Sequence, residues 1–256
     1  MSVPFADHER AAAIATAAGK LLLGMRTSLD DPATDPRALR AEGDRASHDF
    51  IMAALAEACP DDAVLSEEGV DDPARLAASR VWIVDPLDGT REFGEAGRTD
   101  WAVHVALVGD GHVQAAAVAL PARTMTLSSV PAPTPAPPRD GPLRIVVSRT
   151  RPPAIAEELA ARLEGILVPL GSAGAKAMAV VLGDADIYAH SGGQYEWDSA
   201  APVGVAVAAG LHASRLDGSP LVYNQREPWL PDLLICRSEL TARVLDVVRA
   251  SADPAQ

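Results

Sequence analysis

Two carboxylates stand three residues apart in the stretch WIVDPLDGTREF, residues 82 to 93. Asp85 ends an apolar run that is typical of a buried strand, and Asp88 follows one short turn later. Two unpaired carboxylates in such a place repel each other, so a cation bound between them is the natural explanation. We therefore searched the sequence for residues that complete a cation site.

Two other motifs supply further acidic residues. LSEEG, residues 65 to 69, offers Glu67 after a short apolar run, and EWDSAAP places Asp198 at the start of an Ala-rich helix. The candidate ligands are all oxygen donors: Glu67, Asp85, the Leu87 carbonyl, Asp88 and Asp198. Mg²⁺ prefers oxygen ligands, usually a few carboxylates with waters and substrate phosphate. Because no Cys or His stands at metal-ligand spacing, the set predicts Mg²⁺ or Mn²⁺ and not Zn²⁺.

An anion site is predicted directly after these carboxylates. Gly89 and Thr90 follow Asp88 into a turn or helix start, where free backbone N–H groups favour phosphate. The Thr90 hydroxyl can also orient a water. Metals, phosphate and water together predict metal-assisted phosphomonoester hydrolysis.

Each motif alone has a structural explanation. DPLDG can be an Asp-rich turn, SEEG a helix cap and Asp198 an N-cap. The combination favours the site. Other phosphatase signatures do not fit: there is no Cys-x5-Arg nucleophile and no Walker lysine loop, and Asp85 and Asp88 are three residues apart where a D-x-D phosphatase needs two. His104 and His190 are not needed for this chemistry, and we expect His104 to be a satisfied, semi-buried strand residue.

Composition limits the classes of protein. The chain has 256 residues, 48% hydrophobic and 22% charged, as expected of a soluble globular protein. Its net charge of −13 argues against a nucleic-acid partner, which needs Lys and Arg to neutralise phosphates. An acidic enzyme can still bind a small phosphate ester if dications supply the positive charge.

Neither a membrane nor a secreted setting is expected. No apolar run approaches the roughly 18 residues that cross a bilayer. The N-terminal stretch MSVPFADHER is polar and acidic, unlike a signal peptide, and two cysteines are too few for a disulfide scaffold. We therefore expect a cytoplasmic protein.

The elements that position these motifs form two predicted halves. Six prolines in residues 130–142 predict an exposed connection between an α+β half, 1–129, and an α/β half, 143–256. The first half carries most metal ligands, and the second carries Asp198 and the substrate-specificity loops. Hydrophobic periodicity predicts helices at 7–27, 45–58, 152–163, 175–182, 198–209 and from about 239. It predicts strands at 81–85, 101–108, 112–120, 124–129, 143–148, 166–169, 186–189 and 211–215.

Taken together, WIVDPLDGT, the upstream LSEE and the downstream EWDSAA resemble the inositol monophosphatase superfamily of Mg²⁺-dependent, lithium-sensitive phosphatases. The order and approximate separation of the motifs match over nearly the whole chain. The resemblance implies a layered αβαβα sandwich and two or three Mg²⁺ ions, with Mn²⁺ as a substitute. It leaves a homodimer open, and no residue identifies an interface. It implies these metal ligands: Glu67, Asp85, the Leu87 carbonyl, Asp88 and Asp198.

The resemblance also assigns catalytic and phosphate-binding roles. Gly89 and Thr90 fall on phosphate-binding positions, Thr90 and Asp44 fall on the water-activating pair, and Glu67 joins them as a catalytic residue. The stretch LRAEGDRAS around Asp44 departs from the usual T-x-x-D pattern of the family. Structurally, Asp44 alone reads as an N-cap of the helix predicted at 45–58.

Within the superfamily, DGTREF, SRTRPP and the long stretch from GSAGAK to EWD resemble the CysQ-type branch. That branch hydrolyses 3′-phosphoadenosine 5′-phosphate to AMP, and some members accept the sulfated form, which implies a role in sulfate assimilation. Candidate substrate contacts are Asp88, Gly89, Thr90, Arg91, Ser172, Gly174, Lys176 and Glu196. Lys176 can equally lie on a solvated helix face. The alternatives are the same chemistry on inositol monophosphate or fructose 1,6-bisphosphate, and a non-catalytic protein that binds metal and phosphate.

Overall fold

Two five-stranded sheets organise the chain in the computed structural model, which describes residues 5–31 and 33–252. In spatial order, the first sheet has strands β1 (Ala63–Ser66), β2 (Val81–Asp88), β3 (Ala102–Gly109), β4 (His112–Leu120) and β5 (Met125–Ser128). β1 pairs with β2 in parallel, and the other pairs are antiparallel. The outermost residues of the two predicted halves, 1–4 and 253–256, lie outside the described residues.

The second sheet is mixed. Its spatial order is β7 (Gly165–Leu170), β6 (Leu143–Ser148), β8 (Ile187–Tyr195), β10 (Trp229–Cys236) and β9 (His212–Ser214). β6 is parallel to β7 and β8, whereas β10 is antiparallel to β8 and β9. The carboxyl ends of β6, β7 and β8 therefore meet at one edge of the sheet, where loops can form a site.

Seven α-helices complete the layers. They are α1 (Phe5–Arg26), α2 (Pro36–Ala58), α3 (Thr90–Phe93), α4 (Ala154–Leu163), α5 (Ala173–Val181), α6 (Glu196–Ala208) and α7 (Thr241–Ala252), counted in the described residues. α1 and α2 cover the outer face of the first sheet, α5 and α6 lie between the sheets, and α4 and α7 cover the outer face of the second. The predicted αβαβα sandwich is confirmed.

The Pro-rich stretch 130–142 contains neither helix nor strand and joins the two sheets, as its composition predicts. The two sheets do not have separate cores, however. α6 packs on β2, β3 and β4 of the first sheet as well as on the strands of the second. The division into halves at this stretch therefore stays a prediction about chain organisation.

Helix α2 begins nine residues earlier than the sequence predicted. Asp35 caps it by accepting the Arg37 N–H at 2.9 Å, and Pro36 occupies the first turn. Gly43 does not end the helix because it is buried against Phe93, whose Cε1 would lie 2.8 Å from a Cβ there. Asp44 is therefore in the interior of α2, and its reading as an N-cap is wrong.

Strand β10 was not predicted. Its sequence WLPDLLIC includes Pro231 and Asp232, two residues that strands avoid. Both lie where the register between β10 and β8 shifts, so the irregularity accommodates them. Among the described residues, no helix is both long enough and apolar enough to cross a membrane.

Candidate metal and phosphate site

Strand β2 carries two of the predicted metal ligands to the middle of the molecule. All eight of its residues are buried. Its pairing with β3 is interrupted between Asp85 and Asp88, which frees the turn between them from the ladder. Asp85 Oδ1 accepts the Leu87 N–H at 3.0 Å, and Ser47 of α2 donates its hydroxyl to the Pro86 carbonyl at 2.6 Å. The turn is thus fixed from both sides.

Three carboxylates converge at this turn. Asp85, Asp88 and Asp198 each place an oxygen within 4.8 Å of the others. Asp198 is the third residue of α6 and accepts the Tyr195 N–H at 2.7 Å, so the start of the helix fixes its orientation. The structure therefore brings together acids that are more than a hundred residues apart in the sequence.

Nearby cationic side chains neutralise this cluster only in part. Burial, followed by the charges of Glu67 and Asp88, raises the pKa of Asp85 well above its usual range. Burial and Asp88 raise the pKa of Asp198 to about 6. Burial of its carboxyl and the charge of Asp198 raise the pKa of Glu67, whose side chain keeps solvent exposure, to about 7.

These shifts show that negative charge is concentrated here without a sufficient counter-charge. The donor set contains only oxygens, which are the ligands that hard dications prefer. The residues therefore fit a divalent metal ion.

Among the acids of the cluster, Asp88 is held by several hydrogen bonds. Its two oxygens accept the Ala173 and Gly174 N–H groups of α5 at 3.0 and 2.6 Å, and His104 Nε2 lies 3.1 Å from Oδ2. Burial alone would raise its pKa, but His104, Lys176 and the Gly174 N–H lower it. Asp88 is therefore held as a carboxylate with a fixed orientation.

His104 is fully buried, and its environment is more specific than the sequence predicted. Nδ1 lies 3.0 Å from the Trp197 carbonyl, and Nε2 faces Asp88. Burial opposes a charge on the ring, but the Asp88 carboxylate outweighs it and raises the pKa of His104. The signal that could have revealed this contact is register, since His104 pairs with Asp85 across β2 and β3.

The predicted phosphate-binding turn follows Asp88. Gly89 has φ of +84°, and a Cβ there would lie 2.8 Å from Ser172 Cβ, so both conformation and space require glycine. Helix α3 begins at Thr90, which confirms the helix or turn start predicted from the sequence.

Thr90 and the predicted partner Asp44 are brought together. The Thr90 hydroxyl lies 3.3 Å from Asp44 Oδ1 and 3.1 Å from the Leu87 carbonyl. Burial and the nearby charge of Glu68 raise the pKa of Asp44 to about 6. This carboxylate is therefore able to exchange a proton near neutral pH.

A cationic pocket of about 330 Å³ opens beside the acid cluster. Asp88 and Asp198 line it, together with the cationic side chains of Arg91, Arg149, Arg151 and Lys176. His190 also lines it, and burial together with the charges of Lys176 and Arg151 lowers its pKa to about 4. The pocket thus combines an acidic end that fits a cation with a positive wall that fits an anion.

Lys176 lies inside this wall and is not on a solvated helix face. Its side chain is buried, and its ammonium donates to the Gly171 carbonyl and to the Ser172 carbonyl at 2.8 Å. Burial lowers the pKa of Lys176 against the opposing charge of Asp88. Ser172 lines the pocket as well, and its hydroxyl caps α5 by accepting the Ala175 N–H at 2.8 Å.

Two predicted substrate contacts are placed differently. Glu196 is buried, and both of its oxygens accept backbone N–H groups of Asn224 and Gln225, so it does not face the pocket. Gly174 donates its N–H to Asp88, which leaves that group unable to bind phosphate in this geometry. The sequence predicted these two contacts because both residues lie next to motifs. Proximity along the chain does not determine where a carboxylate or an N–H group points.

Sequence reasoning also missed two arginines of the pocket, Arg149 and Arg151. Both belong to SRTRPP, which was noted only as part of the resemblance. Arg149 donates to Glu92 at 2.7 Å and to Glu95 at 2.9 Å, which ties the loop after β6 to α3. Basic residues at the carboxyl end of a predicted parallel strand are the signal that could have identified them.

Comparison with known proteins gives one family. The chain matches the model of the inositol monophosphatase family over residues 5–251. A relative from Mycobacterium leprae, named 3′-phosphoadenosine 5′-phosphate phosphatase, is 53% identical and aligns over 95% of this chain and 93% of its own length. The 3′(2′),5′-bisphosphate nucleotidase CysQ of Escherichia coli K12 is 34% identical over 73% of this chain and 80% of its own. The crystal structure of CysQ from Bacteroides thetaiotaomicron is 27% identical, with a TM-score of 0.76 over 91% and 97% of the two chains.

Proposed function

This chain belongs to the inositol monophosphatase family of phosphatases, and from that membership we propose its substrate and cofactor. It is a Mg²⁺-dependent phosphomonoesterase that removes the 3′-phosphate of 3′-phosphoadenosine 5′-phosphate to give AMP. The sulfated form of the same nucleotide is a second substrate. A cytoplasmic location and a role in sulfate assimilation stay predictions from the sequence.

One observation carries the proposal. One oxygen from each of three carboxylates lies within 4.8 Å of the others, and two of these acids line a pocket that four cationic side chains also line. A substrate with a single phosphate needs only the acidic end, where a dication held by the carboxylates would attract that phosphate. A substrate with a second anionic group also uses the positive wall, which is why a bisphosphate fits best.

The residues that would hold Mg²⁺ are Glu67, Asp85, the Leu87 carbonyl, Asp88 and Asp198, for two or three ions. When bound, Mg²⁺ supplies Lewis-acid polarisation of the phosphate ester and makes the attacking water more acidic. The Ala173 and Gly174 N–H groups hold Asp88 charged and oriented, so this ligand needs no rearrangement to bind.

The remaining chemistry belongs to Thr90 and Asp44. Asp44 Oδ1 accepts the Thr90 hydroxyl proton, so a lone pair of Oγ1 is free to accept a hydrogen bond from the attacking water. Glu67, at the edge of the cluster, is placed to take a proton from the same water. The Gly89 turn brings backbone N–H groups toward the phosphate, and Arg91 adds positive charge beside them.

The second anionic group of the substrate meets Arg151 and Lys176, and the neutral imidazole of His190 can donate a hydrogen bond beside them. These groups favour adenosine bisphosphate over inositol monophosphate, which has no second phosphate. Fructose 1,6-bisphosphate also carries two phosphates and is the stronger of the two alternative substrates. The Mycobacterium leprae relative is named for the adenosine nucleotide and the Escherichia coli relative for a bisphosphate nucleotide, and both names support the first choice.

The test is phosphate release from 3′-phosphoadenosine 5′-phosphate, inositol 1-phosphate and fructose 1,6-bisphosphate in parallel, with Mg²⁺, with chelator and with added Li⁺. We expect the highest kcat/KM for the adenosine nucleotide, no turnover with chelator and inhibition by Li⁺. A higher kcat/KM for either sugar or cyclitol phosphate would overturn the substrate assignment.

The non-catalytic alternative is tested with the same assay. Asp85→Asn and Asp88→Asn each remove a metal-ligating charge and should abolish Mg²⁺-dependent turnover. Mg²⁺-dependent phosphate release that survives both substitutions would contradict the assignment of these acids as metal ligands. A parent protein that binds Mg²⁺ but releases no phosphate from any of the three substrates would be a binding protein.

A further inference from the structure

A buried network that the proposed chemistry does not use connects two distant segments next to the acid cluster. Glu196, the first residue of α6, is 2% exposed. Its Oε2 accepts the Asn224 N–H at 2.6 Å, and its Oε1 accepts the Gln225 N–H at 2.8 Å. A buried carboxylate with both oxygens bonded to backbone N–H groups fixes the loop against the helix.

The same loop is held from the other side by Arg75, which is 1% exposed. Arg75 donates to Asn224 Oδ1 at 2.7 Å and to the Gln225 carbonyl at 3.0 Å, and Asn224 returns a bond to the Arg75 carbonyl at 3.1 Å. Asn224 has φ of +60°, a conformation that asparagine tolerates better than most residues. We call Arg75, Glu196, Asn224 and Gln225 the clasp.

The clasp ends close to two predicted metal ligands. Arg75 also donates to both oxygens of Asp71, at 2.6 and 3.0 Å, and Asp71 lies four residues after Glu67. At its other end, Glu196 lies two residues before Asp198. Glu67 and Asp198 are the two ligands that do not come from β2. The Glu67 N–H bonds to the Val84 carbonyl at 3.3 Å, which ties Glu67 to β2, but no strand ladder ties Glu67 to Asp198 in α6.

We infer that the clasp is a positioning device for the metal site. It holds the segment of Glu67 against the segment of Asp198 and thereby sets the affinity for the divalent ion, without touching substrate. The inference rests on the metal site of the proposed function. Groups that bond directly to metal ligands typically change metal affinity by about 10- to 100-fold when they are substituted, and the clasp acts one step further out, so the lower end of this range is expected.

Two substitutions test the clasp in parts. Glu196→Gln keeps the shape of the side chain but replaces one acceptor by an NH₂ group. Asn224→Gly keeps the left-handed backbone conformation, which glycine adopts readily, and removes only the amide that bonds Arg75. Because the second change is mild, it decides the question if Glu196→Gln does not fold.

The measurement is titration calorimetry of Mn²⁺ into each protein without substrate, followed by kcat and KM at saturating Mg²⁺. We expect about tenfold weaker Mn²⁺ binding in both variants. At saturating metal, kcat and the KM for the nucleotide should remain within about twofold of the parent. A role in substrate binding would change KM instead.

Asp186→Asn is the matched control. Asp186 is 5% exposed, accepts the Arg144 N–H at 2.8 Å and pairs with the Arg144 guanidinium, so it has the same kinds of bond as the clasp. It precedes β8 at the end of the strand away from the pocket. We expect a lower melting temperature in this variant with unchanged Mn²⁺ affinity.

The outcomes separate the inference from the proposed function. If the clasp variants melt earlier but bind Mn²⁺ as tightly as the parent, or if Asp186→Asn weakens binding equally, the clasp has only a structural role. If the parent binds no Mn²⁺, the inference is overturned whatever the turnover. A parent that binds Mn²⁺ and lacks turnover, with weaker binding in the variants, overturns the function and supports the clasp.

Discussion

Gly174 shows how closely single residues are packed around the acid cluster. Its N–H donates to Asp88, and a Cβ at this position would overlap His104 Nε2 and lie 3.1 Å from Asp88 Oδ2. Both neighbours are buried and cannot move aside without disturbing the ligand. Glycine is therefore required for packing, although its φ is ordinary.

Gly174→Ala should reduce stability by about 1 to 3 kcal/mol, the usual cost of overpacking, and should weaken Mn²⁺ binding because Asp88 is displaced. Thermal unfolding and calorimetry measure the two effects. Gly24→Ala is the control, since nothing lies within 4 Å of a Cβ at that position in α1. It should stabilise the protein by about 0.5 to 1 kcal/mol. Normal Mn²⁺ binding by Gly174→Ala would contradict the prediction.

Asp44 gives a prediction about pH. Its raised pKa of about 6 means that it becomes protonated, and unable to accept the Thr90 proton, as pH falls below 6. The kcat of the parent should therefore rise through pH 6. Asp44→Asn should lower kcat on the order of 10²-fold and remove the part of this dependence that is centred near pH 6, while Mn²⁺ binding remains. The exposed Asp49→Asn on the same helix should keep the full profile.

For single residues, the sequence predicted which residue types form the site better than it predicted where each side chain points. Asp85, Asp88 and Thr90 come together as expected, because they share one strand and turn. Asp44 comes from α2, and only the family resemblance predicted its contact with Thr90. Contacts that depend on tertiary packing were not predictable in this way. Glu196 turned away from the pocket because two unpaired backbone N–H groups of a distant loop needed an acceptor.

Among the elements, α2 contributes more to the site than one catalytic residue. Ser47 donates to the Pro86 carbonyl at 2.6 Å, so the helix fixes the turn that carries both aspartates. Ser47→Ala would leave that buried carbonyl without a donor, at a cost of about 1 to 3 kcal/mol. Chemical denaturation should show the loss, and Mn²⁺ affinity should fall with it.

The control for this substitution is Ser251→Ala in α7, where the hydroxyl bonds to the Val247 carbonyl near the exposed end of the helix. Water can replace that bond, so little change is expected. Equal losses in the two variants would mean that Ser47 has no special relation to the turn.

The boundaries of elements show what periodicity can predict. β4 and β6 have the expected ends because turns and prolines flank them. The start of α2 was missed because Gly43 suggests a break, and only its contact with Phe93 shows that the helix needs a glycine there. β10 was missed because Pro231 and Asp232 are compatible with a strand only at an irregular register.

On the scale of the whole molecule, the acid cluster makes stability depend on metal and pH. The pKa values of Asp198, about 6, and Glu67, about 7, lie above the value near 4 of an unfolded chain. The folded protein without metal therefore binds protons more tightly than the unfolded chain. The stability that these two groups contribute without metal should be fully present below about pH 4 and be lost as pH rises through 6 to 7.

Mg²⁺ should reverse this dependence because it replaces the protons. At a free concentration of about 100 times Kd, it should add roughly 2.7 kcal/mol at pH 7.5. Melting temperatures measured from pH 4 to 8, with Mg²⁺ and with chelator, check both effects. Identical curves with and without Mg²⁺ would contradict the assignment of these acids as ligands.

The central position of α5 and α6 has a consequence for synthesis of the chain. The face of the first sheet that they cover includes Val118 and Leu120, both buried in the central core. β4 ends at Leu120 and α6 begins at Glu196, 76 residues later. At translation rates of about 5 to 20 residues per second, this face remains exposed for several seconds before α6 has been synthesised. Asp198 also arrives late, so the metal site of the nascent first sheet lacks that ligand, and the exposed sheet must depend on chaperones or on its own solubility until the second half emerges.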